Sequence, residues 1–287
     1  MKLFLIFLAL NVSLFGDLFN DKGEPKKPLI SILDALYLPH NKSACSVYEA
    51  TKVLLRKKDL NSRELSEKNL TYEQKTIILS ALEELGFIGE VRTPSLEYDD
   101  VIIICAYGPD VQSRMQHLVH LYEKGLRFKR LFLLIRSRNR DSLHEPTRLF
   151  ACPNKGTLVL KDIETEEGMT PLLWKHICKP KYLEEVELVV IKAEKRKVGH
   201  SNTYDALESL KKGGYDLEGK TYLAISSQPY VPYQSALLKR VLPPSYKGVT
   251  VGAAAKQKIL FSQYLDTLAR AVHNEFWIRH PECPPTN

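Results

Sequence analysis

The chain has 287 residues, of which 44% are hydrophobic and 26% are charged, and its formal net charge at pH 7 is +7. This is the composition of an ordinary globular protein, which excludes an intrinsically disordered chain and allows one large core or two smaller ones. The basic residues are interspersed with acidic ones, and the sequence contains no RNP signature, zinc finger or arginine-rich arm. We therefore expect no nucleic-acid partner.

The first 16 residues form an apolar segment that predicts export. Lys2 supplies a short positive region, residues 3–15 are apolar except for two polar positions, and the small residue Gly16 suits a signal-peptidase site. As a helix, residues 3–15 would span about 20 Å, less than the roughly 30 Å hydrocarbon core of a bilayer. We predict a signal peptide over residues 1–16 and a periplasmic or envelope-associated protein. The alternative is a buried helix or an uncleaved anchor, which would be the protein's only contact with a membrane.

Residues 17–98 are predicted to form a tether followed by a helical region. Glycine and proline residues indicate the tether over residues 17–27. Helical patterns follow at residues 30–38, 47–55 and 71–85. The last of these helices begins with a capping box, in which residue 71 is threonine and residue 74 is glutamine.

Strands and helices alternate over residues 99–280. Continuous apolar runs, each followed by a helical pattern, are typical of strands in a parallel sheet that is covered on both faces. The fold class predicted is α/β, a three-layer sandwich with a doubly wound, mainly parallel sheet of about five strands. We also expect a short strand at residues 157–160 and a helix with Thr170 as N-cap and Pro171 in its first turn. The five main strands begin at Asp100, Arg130, Glu187, Thr221 and Val249.

The five cysteines predict no metal site. They form no CxxC pair and have no histidine at metal-ligand spacing. One of them lies in the first apolar strand and is expected in the core. An oxidising compartment would permit one or two disulfides, with the pairing left open by the sequence. The cysteines are Cys45, Cys105, Cys152, Cys178 and Cys283.

The loop after the first main strand is the first candidate ligand site. It reaches Gly108 and leads into a helix that carries Arg114 one turn in. The N–H groups at a helix N-terminus bind anions, and an arginine can add a bidentate contact to phosphate or carboxylate. Only one glycine of a dinucleotide fingerprint is present. The alternative is an ordinary turn with Arg114 solvated on the helix surface.

The loop after the strand at Glu187 is the second candidate. Asn202 and Thr203 would cap a helix or contact a ligand. His200 could act as an acid or base, but no serine or cysteine stands at a spacing that forms a nucleophile pair. Two adjacent glutamates, at positions 166 and 167, precede another helix and are interpreted as complementing its dipole.

Residues 221–242 contain the third candidate, a buried strand, a polar turn and a helix opened by a proline. Ligands of parallel sheets bind beyond the carboxyl ends of the strands, where this turn falls. Ser226 and Ser227 end the strand. Tyr230 and Tyr233 could stack on a base or sugar ring, or pack in the core.

Sequence motifs around the three loops follow an order that resembles a known family. The motifs are DDVIIICAYG with Arg114 and LYEKG, then SNTYDAL, then SSQPYVPYQ, spread from Asp99 to His273. Together they are similar to the domain-of-unknown-function 218 superfamily, which contains SanA-like and YdcF-like envelope proteins. The resemblance implies a Rossmann-like domain over residues 99–280. It also implies a nucleotide-like or phosphorylated small anionic ligand in envelope biology, with no cofactor specified.

The chain departs from the family pattern at three places. The run Arg136–Arg140 replaces a glycine-rich turn, Asp205 and Ala206 replace a Glu-Asn pair, and Tyr230 and Tyr233 stand where the family has His and Arg. Tyrosine neither supplies a proton near neutral pH as histidine does nor offers the donor fork of arginine. An anion site of the family type is therefore lost or remodelled here. The remaining candidate contacts are Arg114, Asn202, Thr203, Ser226 and Ser227.

Three hypotheses follow. The first is an exported family-related protein that binds a small anionic ligand at the strand exits. The second is a degenerate, non-catalytic scaffold or interaction module that docks through its N-terminal helices. The third is a hydrolase that uses His200 with Ser226 or Ser227, which requires the histidine within hydrogen-bond reach of a serine.

Overall fold

The computed structural model describes residues 17–55, 70–104, 106–140, 145–152, 155–196, 201–255 and 259–280. The predicted signal peptide, His200 and two cysteines, Cys105 and Cys283, lie outside the described residues. The described helices are α1 (Lys27–Ala35), α2 (Ala44–Thr51), α3 (Tyr72–Glu84), α4 (Gly108–Glu123), α5 (Glu166–His176), α6 (Lys181–Glu185), α7 (Thr203–Lys212), α8 (Val231–Val241) and α9 (Phe261–Arg279).

Five strands form one parallel sheet with the order β5-β2-β1-β6-β7. In the centre of this sheet, Ile102 of β1 is in register with Phe132 of β2 on one side and with Ala224 of β6 on the other. A separate antiparallel hairpin consists of β3 and β4, and it includes the short strand expected near residue 157. The strands are β1 (Asp100–Ile104), β2 (Arg130–Ile135), β3 (Arg148–Cys152), β4 (Gly156–Val159), β5 (Glu187–Lys192), β6 (Thr221–Ser227) and β7 (Lys247–Ala253).

Alternation of side chains along the strands explains the layers. Val101 and Ile103 of β1 face one hydrophobic cluster, which is shared with α4 and α5. Ile102 and Ile104 face the opposite cluster, which is shared with α7 and α8. Because successive side chains of a strand point to opposite faces, an all-apolar strand needs helices on both sides. The predicted three-layer α/β sandwich is confirmed.

Helix α5 begins earlier than the sequence predicted. Its N-cap is Thr165, whose side chain accepts the N–H of Gly168 at 3.2 Å, so Pro171 lies inside the helix and Thr170 is not a cap. Helix entry is set by a cap oxygen that reaches the N–H groups of the first turn. Thr165 provides that oxygen, and the proline then falls in the second turn.

The N-terminal region is fixed to the body of the protein. Leu18 and Phe19, in the segment expected to be a tether, are completely buried, and the N–H of Leu18 donates to the carboxylate of Glu275 on α9 at 2.7 Å. Helices α1, α2 and α3 share a third hydrophobic cluster with α9. Residues 17–54 and 71–87 thus cover the outer side of α9.

A disulfide joins Cys152, at the end of β3, to Cys178, which follows α5. The two Cα atoms are 5.0 Å apart, within the usual range for a disulfide. Cys45 is a free, exposed thiol. Of the helices that the structure describes, none combines the length and the apolar character that a bilayer crossing requires.

Candidate functional site

The strand order locates the crevice in which ligands of this fold usually bind. The chain moves outward from β1 through β2 to β5 on one side, then returns to add β6 and β7 on the other. The direction therefore reverses between β1 and β6. In open α/β sheets the ligand crevice opens beyond the carboxyl ends of the strands at such a reversal.

Arg114 of α4 reaches into this crevice. Its side chain is 1% exposed, its Nη2 donates to Ser227 Oγ at 3.0 Å, and its Nη1 donates to the carbonyl of Ile104. The guanidinium thus joins the carboxyl ends of β1 and β6. The surface alternative for Arg114 is wrong, and the contact between Arg114 and Ser227 brings two predicted site residues together.

A carboxylate of the chain itself occupies the N-terminus of α4. Glu145 Oε1 accepts the N–H of Gly108 at 2.8 Å, and the Glu145 side chain is 1% exposed. Arg138 holds the same carboxylate with two hydrogen bonds, from Nη1 to Oε2 at 2.8 Å and from Nη2 to Oε1 at 2.9 Å. The anion position predicted for a ligand at Gly108 is therefore filled by Glu145.

Arg138 also binds a second buried carboxylate. Its Nε donates to Glu166, which is fully buried and also accepts a hydrogen bond from the side chain of Arg136 at 2.9 Å. Burial alone would lower the pKa of Arg138, but the hydrogen bonds and charges of Glu145 and Glu166 outweigh it and the pKa is raised. Glu166 was interpreted as a helix-dipole partner only; its main contacts are with these two arginines.

Beyond the carboxyl ends of β2 and β5 lies a cavity of about 250 Å³, which we term the basic cavity. Four of its lining residues are cationic and one is acidic, Glu167. The arginine side chains are exposed to different degrees, from 8% for Arg138 to 43% for Arg196. The four cationic lining residues are Arg136, Arg138, Lys195 and Arg196.

The three arginines that line the basic cavity are each paired with a carboxylate. Arg196 forms a bidentate pair with Asp205 at 2.8 and 2.9 Å, and Asp205 is 16% exposed. Lys195 forms no ion pair with any residue that the structure describes. Cations oriented by buried carboxylates are the arrangement that suits a phosphate or carboxylate ligand.

Asn202 and Thr203 lie at the start of α7, where Asn202 is the N-cap. Its side chain accepts the N–H of Asp205 at 3.2 Å, and the Asp205 side chain accepts the N–H of Asn202 at 2.7 Å. This reciprocal capping box is the structural role that the sequence left open for Asn202. Thr203 makes no hydrogen bond with Arg114 or Ser226 within the described structure.

The remaining predicted residues are engaged with neighbouring helices. The Ser226 hydroxyl donates to the side chain of Gln234, and the Tyr230 hydroxyl accepts a hydrogen bond from Gln263. Tyr233 contacts two hydrophobic clusters, and burial raises the pKa of its phenol even though a hydrogen bond with Arg270 lowers it. The tyrosines therefore pack between α8 and α9.

None of the eight predicted site residues lines the basic cavity. The sequence contained one signal for it, the basic run Arg136–Arg140 directly after β2, which was interpreted only as the replacement of a glycine-rich turn. Lys195 and Arg196 follow Glu194 directly and so belong to the basic residues that the sequence intersperses with acidic ones. Their convergence with Arg136 depends on β5 lying next to β2, which the sequence does not state.

No family model, no curated protein and no solved structure matches this chain. The resemblance to the domain-of-unknown-function 218 superfamily therefore stays a prediction. In the described ranges no group of three or more His, Cys, Asp or Glu side chains could hold a metal ion. The hydrolase hypothesis depends on His200, which lies outside those ranges.

Proposed function

We propose that this protein is exported and binds a small phosphorylated or nucleotide-like ligand in cell-envelope biogenesis, as the family resemblance implies. The observation that carries the proposal is the basic cavity, where Arg136, Lys195 and Arg196 converge beyond the carboxyl end of the sheet. The ligand site would be displaced from the β1–β6 crevice, where Arg114 binds Ile104 and Ser227, to the neighbouring β2–β5 edge.

Two features support export. The first 16 residues have the charge, length and small terminal residue of a signal peptide. The disulfide between Cys152 and Cys178 supports an oxidising compartment, since disulfides are rare in the reducing cytosol of mesophiles. Together they favour the periplasm or the envelope.

Replacing Lys195 with glutamine is expected to weaken ligand binding about tenfold or more, because one charge-assisted contact contributes roughly 1.5–3 kcal/mol. The measurement is a thermal-shift screen of the protein against inorganic phosphate, nucleotides, S-adenosylmethionine and cell-wall precursors, followed by calorimetric titration of any compound that stabilises it. Lys195 has no ion pair to lose among the described residues, so the fold should persist.

The matched control for this experiment is Lys211→Gln, an equal change of charge at an exposed position of α7. Its affinity should equal that of the wild type. Absence of stabilisation by every compound, or equal weakening by both substitutions, would contradict ligand binding in the basic cavity.

A second candidate function is a non-catalytic interaction module. It is favoured by the internal contacts of Arg114 with Ser227 and of Glu145 with Gly108, which engage two of the predicted ligand contacts, and by exposed apolar side chains on α3. Tyr72 is 87% exposed and Ile77 is 40% exposed. These side chains lie on the N-terminal helices, where the docking surface was expected.

Affinity purification from the native envelope tests the second candidate. A specific partner should be recovered with the wild type and lost with Ile77→Asp, because a charge in an apolar interface is costly. The control is Thr76→Asp, which places the same charge one position away on α3. Recovery of no partner, or equal loss in both variants, would count against a docking role of this helix.

A further inference from the structure

Glu275 of α9 is a buried carboxylate that binds the start of the described chain. Its side chain is 5% exposed, and its Oε2 accepts the N–H groups of Leu18 at 2.7 Å and Phe19 at 3.3 Å. Successive N–H groups directed at one anion form a small anion-binding concavity. The carboxylate therefore has a defined geometric role at residues 17–19.

Glu275 has no cationic partner among the described residues, although charged groups lie near it. Lys239 of α8 and Arg279 of α9 favour its ionised form, and Asp17 opposes it. Burial is the largest influence and raises the pKa of Glu275 to about 7, against the lowering effect of the Leu18 N–H. A buried carboxylate that lacks a cation is costly, and proteins usually pair such groups.

Glu275 lies close to the residues that directly follow the predicted cleavage site. Leu18 is the second residue after the Gly16–Asp17 bond, and the nitrogen of Asp17 precedes that of Leu18 by a distance on the order of 3.5 Å. Lys239 Nζ holds the Asp17 carboxylate at 3.1 Å, which ties this residue to α8. The Asp17 nitrogen therefore lies within about 6 Å of the Glu275 carboxylate.

We propose that Glu275 is the receptor for the N-terminus that cleavage after Gly16 creates. In that hydrolysis water adds across the Gly16–Asp17 peptide bond, which leaves a carboxylate on Gly16 and an α-ammonium group on Asp17. The new ammonium group pairs with the Glu275 carboxylate and anchors the first residues of the mature chain against α9. The inference rests on the exported, processed protein of the proposed function.

This pairing makes the processed chain the more stable form. In the intact chain the Asp17 nitrogen is an uncharged peptide group, so Glu275 remains without a cationic partner among the described residues. Cleavage converts the same atom into a cation at the same place, with no new side chain required. We therefore expect the cleaved chain to have a higher free energy of unfolding than the intact chain.

The test uses the full chain with a protease recognition sequence in place of residues 12–16, so that cleavage releases Asp17 as the first residue. Thermal unfolding of one preparation is measured at pH 7.5 before and after cleavage. Cleavage should raise Tm by on the order of 5 °C. In Glu275→Gln, which keeps the shape and can still accept both N–H groups, cleavage should leave Tm nearly unchanged.

A second measurement uses the wild-type side chain, so it does not require the Glu275→Gln variant to fold. The carboxyl carbon of Glu275 is followed by NMR titration, and its pKa should fall by at least about 2 units on cleavage, because a cation favours the ionised carboxylate. Acetylation of the α-amine of the cleaved protein should reverse the fall. An unchanged titration, or an equal gain of Tm in Glu275→Gln, would overturn the pairing.

The failure of this inference is distinguishable from failure of the proposed function. Mass spectrometry of the native protein from the envelope fraction determines its first residue. Asp17 in that position supports processing at the proposed bond, and any other first residue overturns that step. Neither result depends on the ligand screen, which concerns the basic cavity at the far edge of the sheet.

Discussion

Replacing Arg138 with methionine should lower the free energy of unfolding by about 3–5 kcal/mol, because it removes the charge-assisted hydrogen bonds of one arginine to two buried carboxylates. Arg138 donates to both Glu145 and Glu166, which are 1% and 0% exposed. Arg136 also contacts Glu166, so the larger loss falls on Glu145. Equilibrium unfolding in urea, monitored by circular dichroism, measures the effect.

Two further variants distinguish the effect of losing charge pairs in the interior from the effect of losing side-chain packing. Arg140→Met changes a half-buried arginine two positions away, whose Nη1 donates to the carbonyl of Pro146 at 3.3 Å, and should lower the free energy of unfolding by about 1 kcal/mol or less. The triple variant Arg138→Met, Glu145→Gln, Glu166→Gln removes all three charges together. It should be more stable than Arg138→Met alone, since neither position 145 nor position 166 then carries a buried negative charge.

The order of these stabilities is the decisive outcome. The triple variant could instead be less stable than Arg138→Met, by an amount equal to the summed losses of the single variants Glu145→Gln and Glu166→Gln. That result would show that the two carboxylates contribute to stability independently of Arg138. A cost for Arg138→Met equal to that of Arg140→Met would contradict its buried position. Either result would also weaken the interpretation of Glu145 as an internal anion at the N-terminus of α4.

Acidification should destabilise the protein through His273, by up to about 3 kcal/mol at 1.36 kcal/mol per pKa unit. Burial lowers the pKa of His273 from its ordinary 6.5 to about 4. Its ring packs against Tyr48 with centroids 4.5 Å apart, and its Nε2 has no hydrogen-bond partner among the described residues. The charged side chains around it are Lys52, Glu49, Arg270 and Arg240.

The sign follows from the depressed pKa. Above pH 6.5 the histidine is neutral in both states, and its contribution to stability is fully present. As the pH falls from 6.5 towards 4, the unfolded chain binds the proton while the folded chain does not, so the free energy of unfolding decreases. The stability contributed by the neutral histidine is lost in that window.

Comparison of wild type with His273→Gln isolates this effect from other acid-sensitive groups. The difference in their free energies of unfolding should change by up to about 3 kcal/mol between pH 7 and pH 4.5 in favour of the variant. His120→Gln, at an exposed position of α4, is the matched control and should show little change. If the free energies of unfolding of wild type and His273→Gln changed in parallel with pH, burial of the His273 ring would not be the source of the acid sensitivity.

Local sequence patterns were sufficient for most of the elements. The apolar runs at β1, β2 and β6 predicted buried strands, and the capping box at Thr71 predicted the start of α3. These signals act between neighbouring residues, through alternation of side chains and through cap hydrogen bonds. The misplaced start of α5 shows the limit, since Thr165 and Thr170 both offer a capping oxygen and only one matches the helix that packs on the sheet.

The candidate site was predicted less well, because its residues come from loops far apart in the chain. Arg114 and Ser227 are 113 positions apart and were expected near one site, and they are in contact. Glu145 and Arg138 fill the predicted anion position, and nothing in their local sequence indicated that they would. The local sequence around a charged loop residue is the same whether its side chain is solvated or paired in the interior.

The sequence by itself determined the layered α/β class of this protein, because hydrophobic periodicity specifies which faces of each strand and helix must be buried. Only the tertiary structure decided where a ligand could bind. The order of the strands placed the ends of β2 and β5 side by side and so assembled the basic cavity, while Glu145 took the anion position at the N-terminus of α4. Charge pairing between distant loops depends on that order, and no local pattern encodes it.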